Sequence, residues 1–149
     1  MSADDIQAIT ELLYRYAELM DAGDFDAAAA LFCHARVRVG SGDAGLVDAE
    51  GLRAIWQTTV IRYADGTPRT RHVVTNPIVE IEADRTLAAA RSTYTVFQQA
   101  DGAALQPIIT GRYHDRFARV DGEWRFSERD YTLVDLLGDV SGHLRIELG

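Results

Sequence analysis

Apolar residues in the first sixty positions recur with the spacing of α-helices. Ser2 is typical of a helix cap, with an acidic residue three positions later, and apolar residues then repeat every three or four positions across residues 6–20. Gly23 predicts the end of this first helix, and a second, short helix with a cap at Asp24 is predicted over residues 25–32. A third helix is predicted from a cap at Asp48 to Val60.

Alternation of apolar and polar residues replaces the helical spacing after the loop at residues 65–68. A shorter alternating segment, residues 35–40, predicts one strand among the helices. Four long strands are predicted at about residues 72–82, 86–99, 106–120 and 123–132. Asp-Gly pairs at 101–102 and 121–122 predict hairpin turns that join the last three of them.

These elements predict a single α+β domain over residues 1–149. Long consecutive antiparallel strands twist and curl, so we expect the N-terminal helices to pack against a curved antiparallel sheet. The tail from Leu133 is harder to assign, although residues 145–148 have the pattern of a short edge strand. Residues 78–81 and 94–97 carry apolar side chains on both strand faces, more than one helix layer covers. We therefore expect the outer sheet face to pair with another copy, in a dimer or trimer.

Composition narrows the possible partners and chemistry. The formal net charge of −8 disfavours a nucleic-acid partner, because the phosphate backbone attracts basic proteins. Every basic residue is an arginine, so catalysis by a lysine is excluded. The single cysteine excludes an intramolecular disulfide, and no apolar run approaches the roughly 20 residues that span a bilayer. Without a signal pattern at the N-terminus, we expect a cytoplasmic protein that acts on a small molecule and has no membrane partner.

Two residues stand out as candidates for acid–base chemistry. His72 lies where the loop at residues 65–68 leads into the first long strand, and such junctions aim side chains into cavities. A histidine can take a proton near neutral pH and return it. Asp21 ends the apolar stripe of the first helix, where a negative charge is unfavourable unless a group such as a protonatable histidine compensates it. The alternatives are a half-buried structural histidine and a helix-end acid that bonds nearby backbone.

Three segments resemble a known family: residues 16–25, residues 70–76, and residues 111–126. They are similar to the SnoaL-like group of the nuclear-transport-factor-2-like superfamily, which includes scytalone dehydratase, bile-acid dehydratase and hexachlorocyclohexane dehydrochlorinase. The resemblance implies a cone-shaped fold, in which the curved sheet wraps the N-terminal helices around one deep pocket. It also implies contact between Asp21 and His72 as a catalytic dyad. The fold hosts many reactions and also non-enzymes, so the resemblance does not identify a substrate.

The same resemblance suggests substrate-binding residues on the first helix. Tyr16 lies in the inward stripe, where the bile-acid dehydratase pattern also has a tyrosine, and its phenol could polarise a carbonyl. A core tyrosine with a satisfied hydroxyl is the alternative. Tyr14 precedes Asp21 by nearly two helical turns and so has a similar azimuth, although it also fits an aromatic residue on the helix flank.

Two further candidates lie in the predicted sheet. Ser92 falls near the position of a second histidine in scytalone dehydratase, and this difference argues against the same hydration chemistry. Arg129 matches by position an arginine in the pocket of the dehydrochlorinase, where it could stabilise a departing anion; the alternative is a surface ion pair with Glu128 or Asp130. Two-residue periodicity points Trp124 and Arg129 to opposite faces, so an inward Arg129 requires a bulge near residues 127–128.

Together these observations predict a cofactor-independent lyase or isomerase of the dehydratase or elimination type, acting on an apolar, cyclic small molecule. His72 would abstract a proton, Asp21 would orient it, and Tyr16 or Arg129 would stabilise charge. The histidines lack metal-ligand spacing, so we expect no metal and no cofactor, and we interpret His114 and His143 as structural. The alternative is a non-catalytic protein: a hydrophobic-ligand binder or an assembly subunit similar to the small subunit of ring-hydroxylating dioxygenases.

Overall fold

A computed structural model describes residues 2–146 of the chain, in which three helices pack against one seven-stranded sheet. The helices and strands, in chain order, are α1 (Ala3–Asp21), α2 (Phe25–Ala30), β1 (Arg36–Arg38), β2 (Leu46–Val47), α3 (Ala49–Thr59), β3 (Thr70–Ile81), β4 (Leu87–Gln98), β5 (Gln106–Val120), β6 (Glu123–Asp130) and β7 (Val134–Leu137). The predicted order of helices and long strands is confirmed, with boundaries that differ by a few residues.

Each helix begins at a side-chain cap that the sequence predicts. The Ser2 hydroxyl accepts a hydrogen bond from the backbone N–H of Asp4, and the carboxylates of Asp24 and Asp48 accept corresponding bonds at α2 and α3. α2 ends at Ala30 instead of residue 32 because the next backbone N–H groups form tighter bonds that span three residues, as in Phe32 to Ala29.

The strand order in the sheet is β2-β1-β6-β5-β4-β3, with β7 paired to β5. β3 to β6 form the predicted antiparallel meander. The predicted α+β fold with a curved sheet is confirmed; one pairing differs from the predicted antiparallel arrangement, because β1 pairs in parallel with β6 and makes the curved, unclosed sheet mixed. A strand of three residues gives no sequence signal for its partner or direction, and the same holds for β2 and β7. Of the predicted edge strand at residues 145–148, the last two lie outside the described residues.

Extra residues in two strands change which side chains face the helices. In β3, Asn76 and Pro77 together lie opposite Ser92, and Asn76 has a positive φ of 54°. In β6, Ser127 is the extra residue, because Phe126 and Glu128 pair with consecutive residues of β5. The bulge predicted at residues 127–128 is confirmed, and it turns Arg129 to the inner face of the sheet.

Aromatic side chains fill much of the space between α1 and the sheet. Tyr16 of α1 packs edge-on against Phe32 and Tyr113, and Phe126 lies between Phe32 and Phe117. Burying one such ring stabilises the fold by about 1.5–3 kcal/mol relative to leaving it exposed. The concavities beside the candidate residues are open to the surface, so the deep interior pocket stays a prediction.

Candidate active site

Asp21 and His72 are in direct contact at the junction of α1 and β3. The Nδ1 atom of His72 lies 2.6 Å from Oδ1 of Asp21. The side chains are mostly buried, 6% exposed for His72 and 15% for Asp21. A carboxylate next to Nδ1 fixes the imidazole tautomer in which Nδ1 carries the proton. Nε2 is then the unprotonated, basic nitrogen. Within residues 2–146, Nε2 forms no hydrogen bond.

Three further hydrogen bonds explain why an acid is tolerated at the end of α1. The backbone N–H of His72 donates to both carboxylate oxygens of Asp21, at 3.0 and 2.9 Å, and the Thr70 hydroxyl donates at 3.0 Å. These donors offset the unfavourable position of a negative charge at a helix C-terminus. The dyad is therefore built from two rigid elements, with both ends of the carboxylate held.

An open groove of about 570 Å³ reaches the dyad. Its lining residues come from α1, the residue that follows it, and β3: Tyr14, Ala17, Glu18, Asp21, Ala22, Arg71, His72, Val73 and Val74. Tyr14 is 46% exposed and lies on this groove, whereas Tyr16 does not line it. The volume is within the range of small-molecule sites, which is about 300–1,000 Å³.

Tyr16 belongs to the buried aromatic cluster and contacts the His72 side chain of the dyad. Its ring packs edge-on against His72, with 6.2 Å between the ring centroids. Its ring also packs against Tyr113 and Tyr131, and burial raises the pKa of Tyr16 well above its ordinary value. Tyr16 is thus a core tyrosine, and it stays protonated.

Arg129 is fully buried and paired with Asp115, so the interpretation as a surface ion pair with Glu128 or Asp130 is wrong. Its Nε and Nη2 atoms donate to the two carboxylate oxygens of Asp115 at 2.7 and 3.0 Å. Its guanidinium lies 3.9 Å from the ring centroid of Tyr113 and 4.4 Å from that of Tyr16. Arg129 faces inward as the resemblance implies, but Asp115 already neutralises its charge.

Ser92 is buried on the inner face of β4, and its hydroxyl has no hydrogen-bond partner among residues 2–146. Val96 is the residue of β4 that pairs with His72. Ser92 precedes it by four residues, which is about 13 Å along a strand. The structure therefore does not bring Ser92 to the dyad.

His143, which the sequence pattern suggested was structural, lies beside His72. The two ring centroids are 6.3 Å apart, at an angle of 70°. His143 is 6% exposed, and burial, with the neighbouring His72 second, lowers its pKa to about 4. Its Nδ1 atom has no hydrogen-bond partner among the described residues. The sequence signal for His143 as a site residue was weak, because the tail has no apolar periodicity that predicts the direction of its side chain.

Two other kinds of feature are absent from residues 2–146. Between residues 2 and 146, no helix is both long and apolar enough to cross a membrane. In the same part of the chain, no three His, Cys, Asp or Glu side chains are grouped so that they could hold a metal ion.

Solved structures share this fold at low sequence identity. An NTF2-like protein with a cystatin-like fold from Novosphingobium aromaticivorans is 23% identical, with a TM-score of 0.67, over 85% of this chain and 80% of that chain. A provisionally assigned scytalone dehydratase from the same organism is 20% identical (TM-score 0.65; 96% and 95% covered). The β subunit of a provisionally assigned aromatic-ring-hydroxylating dioxygenase from this organism is 19% identical (TM-score 0.64; 94% and 95% covered).

A protein-family match extends over most of the chain. No curated protein matches the chain. Residues 1–130 match the SnoaL-like domain, a match that includes α1, β3 and the dyad and stops before the tail that carries His143. The chain therefore belongs to the SnoaL-like domain family of the NTF2-like superfamily.

Proposed function

We propose that this protein is a cofactor-independent lyase or isomerase that uses the Asp21–His72 dyad as its general base. The observation that carries the proposal is the 2.6 Å contact between Nδ1 of His72 and Asp21 at the edge of an open groove. A carboxylate in this position orients the imidazole and stabilises the imidazolium that forms when the ring takes a proton.

The proposed substrate is an apolar, cyclic small molecule with an acidic C–H next to a carbonyl. The C–H bond breaks, its proton passes to Nε2 of His72, and its electron pair moves into the carbonyl to give an enolate. In elimination, the enolate expels a hydroxyl group from the adjacent carbon, and His72 returns the proton to it, releasing water. In isomerisation, the proton returns to another carbon. Val74 and the ring of Tyr14 supply apolar groove surface for such a ring system.

Deuterium exchange tests the proposed base without knowledge of the natural substrate. The probe is β-tetralone, a bicyclic ketone with an acidic C–H, and exchange in D₂O is followed by NMR. We expect the parent to catalyse exchange and His72→Ala to abolish it. His114→Ala is the matched control, because His114 is exposed on β5 and pairs across the sheet with Arg91. Exchange by His72→Ala at the parent rate would show that the base is wrong.

The outer sheet face supports the second candidate function, an assembly subunit. A hollow of about 590 Å³ lies there, and Ile78 and Leu46 are exposed at its edge. An exposed apolar surface in a charged rim is typical of a protein interface. We propose that it binds a second copy in a dimer or trimer, and light scattering at micromolar concentration tests this. A monomer would contradict the oligomer, while a stable oligomer without exchange activity would favour the subunit function.

A further inference from the structure

The buried ring of His143 has no assigned role, although it lies next to the proposed base. The tail that carries it is fixed at several points: the carbonyl of Gly142 accepts hydrogen bonds from the Tyr63 hydroxyl and from Nε2 of Gln98. The carbonyl of His143 itself accepts a hydrogen bond from the backbone N–H of Ile61 at 2.8 Å. These bonds hold the ring against the dyad.

The unpartnered Nδ1 atom of His143 requires an explanation. A buried polar atom left without a hydrogen bond is unfavourable, and most such atoms in folded proteins are paired. Nothing among residues 2–146 pairs with it. A group that is absent from the protein chain itself, such as a bound substrate atom, would satisfy it.

The distance between the two imidazoles fits one oxygen atom between them. A direct N–H···N bond requires the nitrogens to be about 3 Å apart, which a centroid separation of 6.3 Å does not allow. One oxygen atom that bonds to both rings spans a gap of this size. Such an oxygen would be within reach of His72, the residue that borders the groove.

The other candidates for stabilising negative charge belong to the core, are paired or are distant. Tyr16 packs in the buried aromatic cluster against Phe32 and Tyr113, and Arg129 is engaged by Asp115 through two hydrogen bonds. Ser92 lies about 13 Å along the strand from the residue that pairs with His72. Among these residues, His143 combines a ring beside His72 with a buried polar atom that has no partner among residues 2–146.

We propose that His143 is a second catalytic residue, whose neutral imidazole donates its Nδ1–H to the substrate oxygen that becomes negative when His72 takes the proton. The inference rests on the proposed function and names its substrates further, as cyclic ketones or hydroxy ketones. The C–H proton moves to His72, the electron pair moves to the ketone oxygen, and His143 keeps its proton. A neutral donor suits this role because it stabilises an oxyanion without competing with His72 for the proton.

Substitutions of His143 test the inference with the same exchange reaction. His143→Phe keeps a buried ring without a donor, and His143→Asn keeps an N–H at the position of Nδ1. We expect His143→Phe to lower kcat for β-tetralone exchange by about 10²–10³-fold with little change in KM, the range for losing one oxyanion donor. We expect His143→Asn to restore part of this loss, which a purely structural role would not produce.

Binding of β-naphthol gives a second measurement that does not depend on turnover. Its phenolate mimics the enolate, and ultraviolet absorbance reports how much of the bound phenol is ionised. We expect the parent to bind the phenolate more tightly than His143→Phe does, while naphthalene binds equally to both. Equal phenolate binding and equal exchange rates would overturn the inference.

The outcomes separate this inference from the proposed function. Loss of exchange in His72→Ala with full activity in His143→Phe would overturn the role of His143 alone. Full exchange in His72→Ala would overturn both the proposed function and the role of His143. The same follows if the parent shows neither exchange nor phenol binding. If His143→Phe does not fold, as judged by circular dichroism, His143→Asn and His143→Gln decide. The donor role predicts that His143→Gln loses more of the phenolate preference than His143→Asn. Equal loss in the two folded variants, or no loss in either, would overturn it.

Discussion

Replacing Arg129 by methionine tests whether the buried ion pair, and not an open substrate contact, is the main role of this arginine. Both side chains of the Arg129–Asp115 pair are fully buried, with two hydrogen bonds of 2.7 and 3.0 Å. Methionine keeps much of the volume but leaves the Asp115 carboxylate without its counter-charge. Burial already raises the pKa of Asp115, and Arg129 is the principal group that acts in the opposite direction.

The expected loss of stability follows from this burial. Removing one member of a buried ion pair costs about 3–5 kcal/mol because the other charge stays desolvated. For a protein of about 150 residues, each kcal/mol corresponds to about 2–4 °C in Tm, so we expect a decrease of roughly 6–20 °C. The loss should shrink toward acid pH, because protonation of Asp115 removes the unpaired charge.

Urea unfolding followed by tryptophan fluorescence and circular dichroism measures the change. Arg116→Met is the matched control: its pair with Glu128 has the same chemistry at 3.5 Å but is about two-thirds exposed on both sides. Such a surface pair contributes at most about 1 kcal/mol. The double variant Arg129→Met, Asp115→Leu should recover part of the stability. A loss below about 1 kcal/mol for Arg129→Met would refute the reasoning.

Three further predictions concern titratable groups. Asp21→Asn should lower kcat for exchange by about 10²–10⁴-fold with the fold intact, because the amide permits the wrong tautomer; unchanged kcat would show that the dyad contact is structural. The pKa of His143 falls from 6.5 to about 4 on folding, so its neutral ring favours the folded state above pH 6.5, and this contribution is lost as the pH falls to 4. His143→Phe should therefore reduce the change in unfolding free energy between pH 6.5 and 4 by up to about 3 kcal/mol, measured by urea unfolding at a series of pH values. An unchanged pH dependence would contradict this prediction. Hydrogen bonds, first from Arg85 and second from Trp124, lower the pKa of Asp5 to about 2. The Asp5 carboxylate therefore stabilises the fold above pH 4 and loses this effect as the pH falls through 2. Asp5→Asn should be less stable than the parent at neutral pH and equally stable in strong acid.

Much of the fold follows from local sequence pattern. The caps Ser2, Asp24 and Asp48 and the helical apolar spacing set where the helices begin, since these interactions involve residues within one turn of each other. Alternation and Asp-Gly turns set the four long strands, because neighbouring strands in a meander pair through short connections. The inward Arg129 that the resemblance implied required the bulge at Ser127, because alternation alone points Trp124 and Arg129 to opposite faces.

The candidate site depended on both local sequence and tertiary packing. The position of His72 at a loop–strand junction, and of Asp21 at an unfavourable helix end, marked them as candidates from local sequence alone. Their contact joins residues 51 positions apart, and only the packing of α1 on β3 decided it. The helical stripe indicated Tyr16 as inward and the resemblance indicated Arg129 as inward, but neither predicted that Asp115 pairs with Arg129.

The tertiary structure alone decided the parallel pairing of β1 with β6 and the position of His143. β1 joins a strand some ninety residues later in the chain, and its three residues carry no register signal. His143 reaches the dyad because distant groups, Gln98 and Ile61 among them, bond the backbone of the tail. Sequence patterns record interactions between residues that are close along the chain, whereas these contacts arise from the way distant elements fill space around α1.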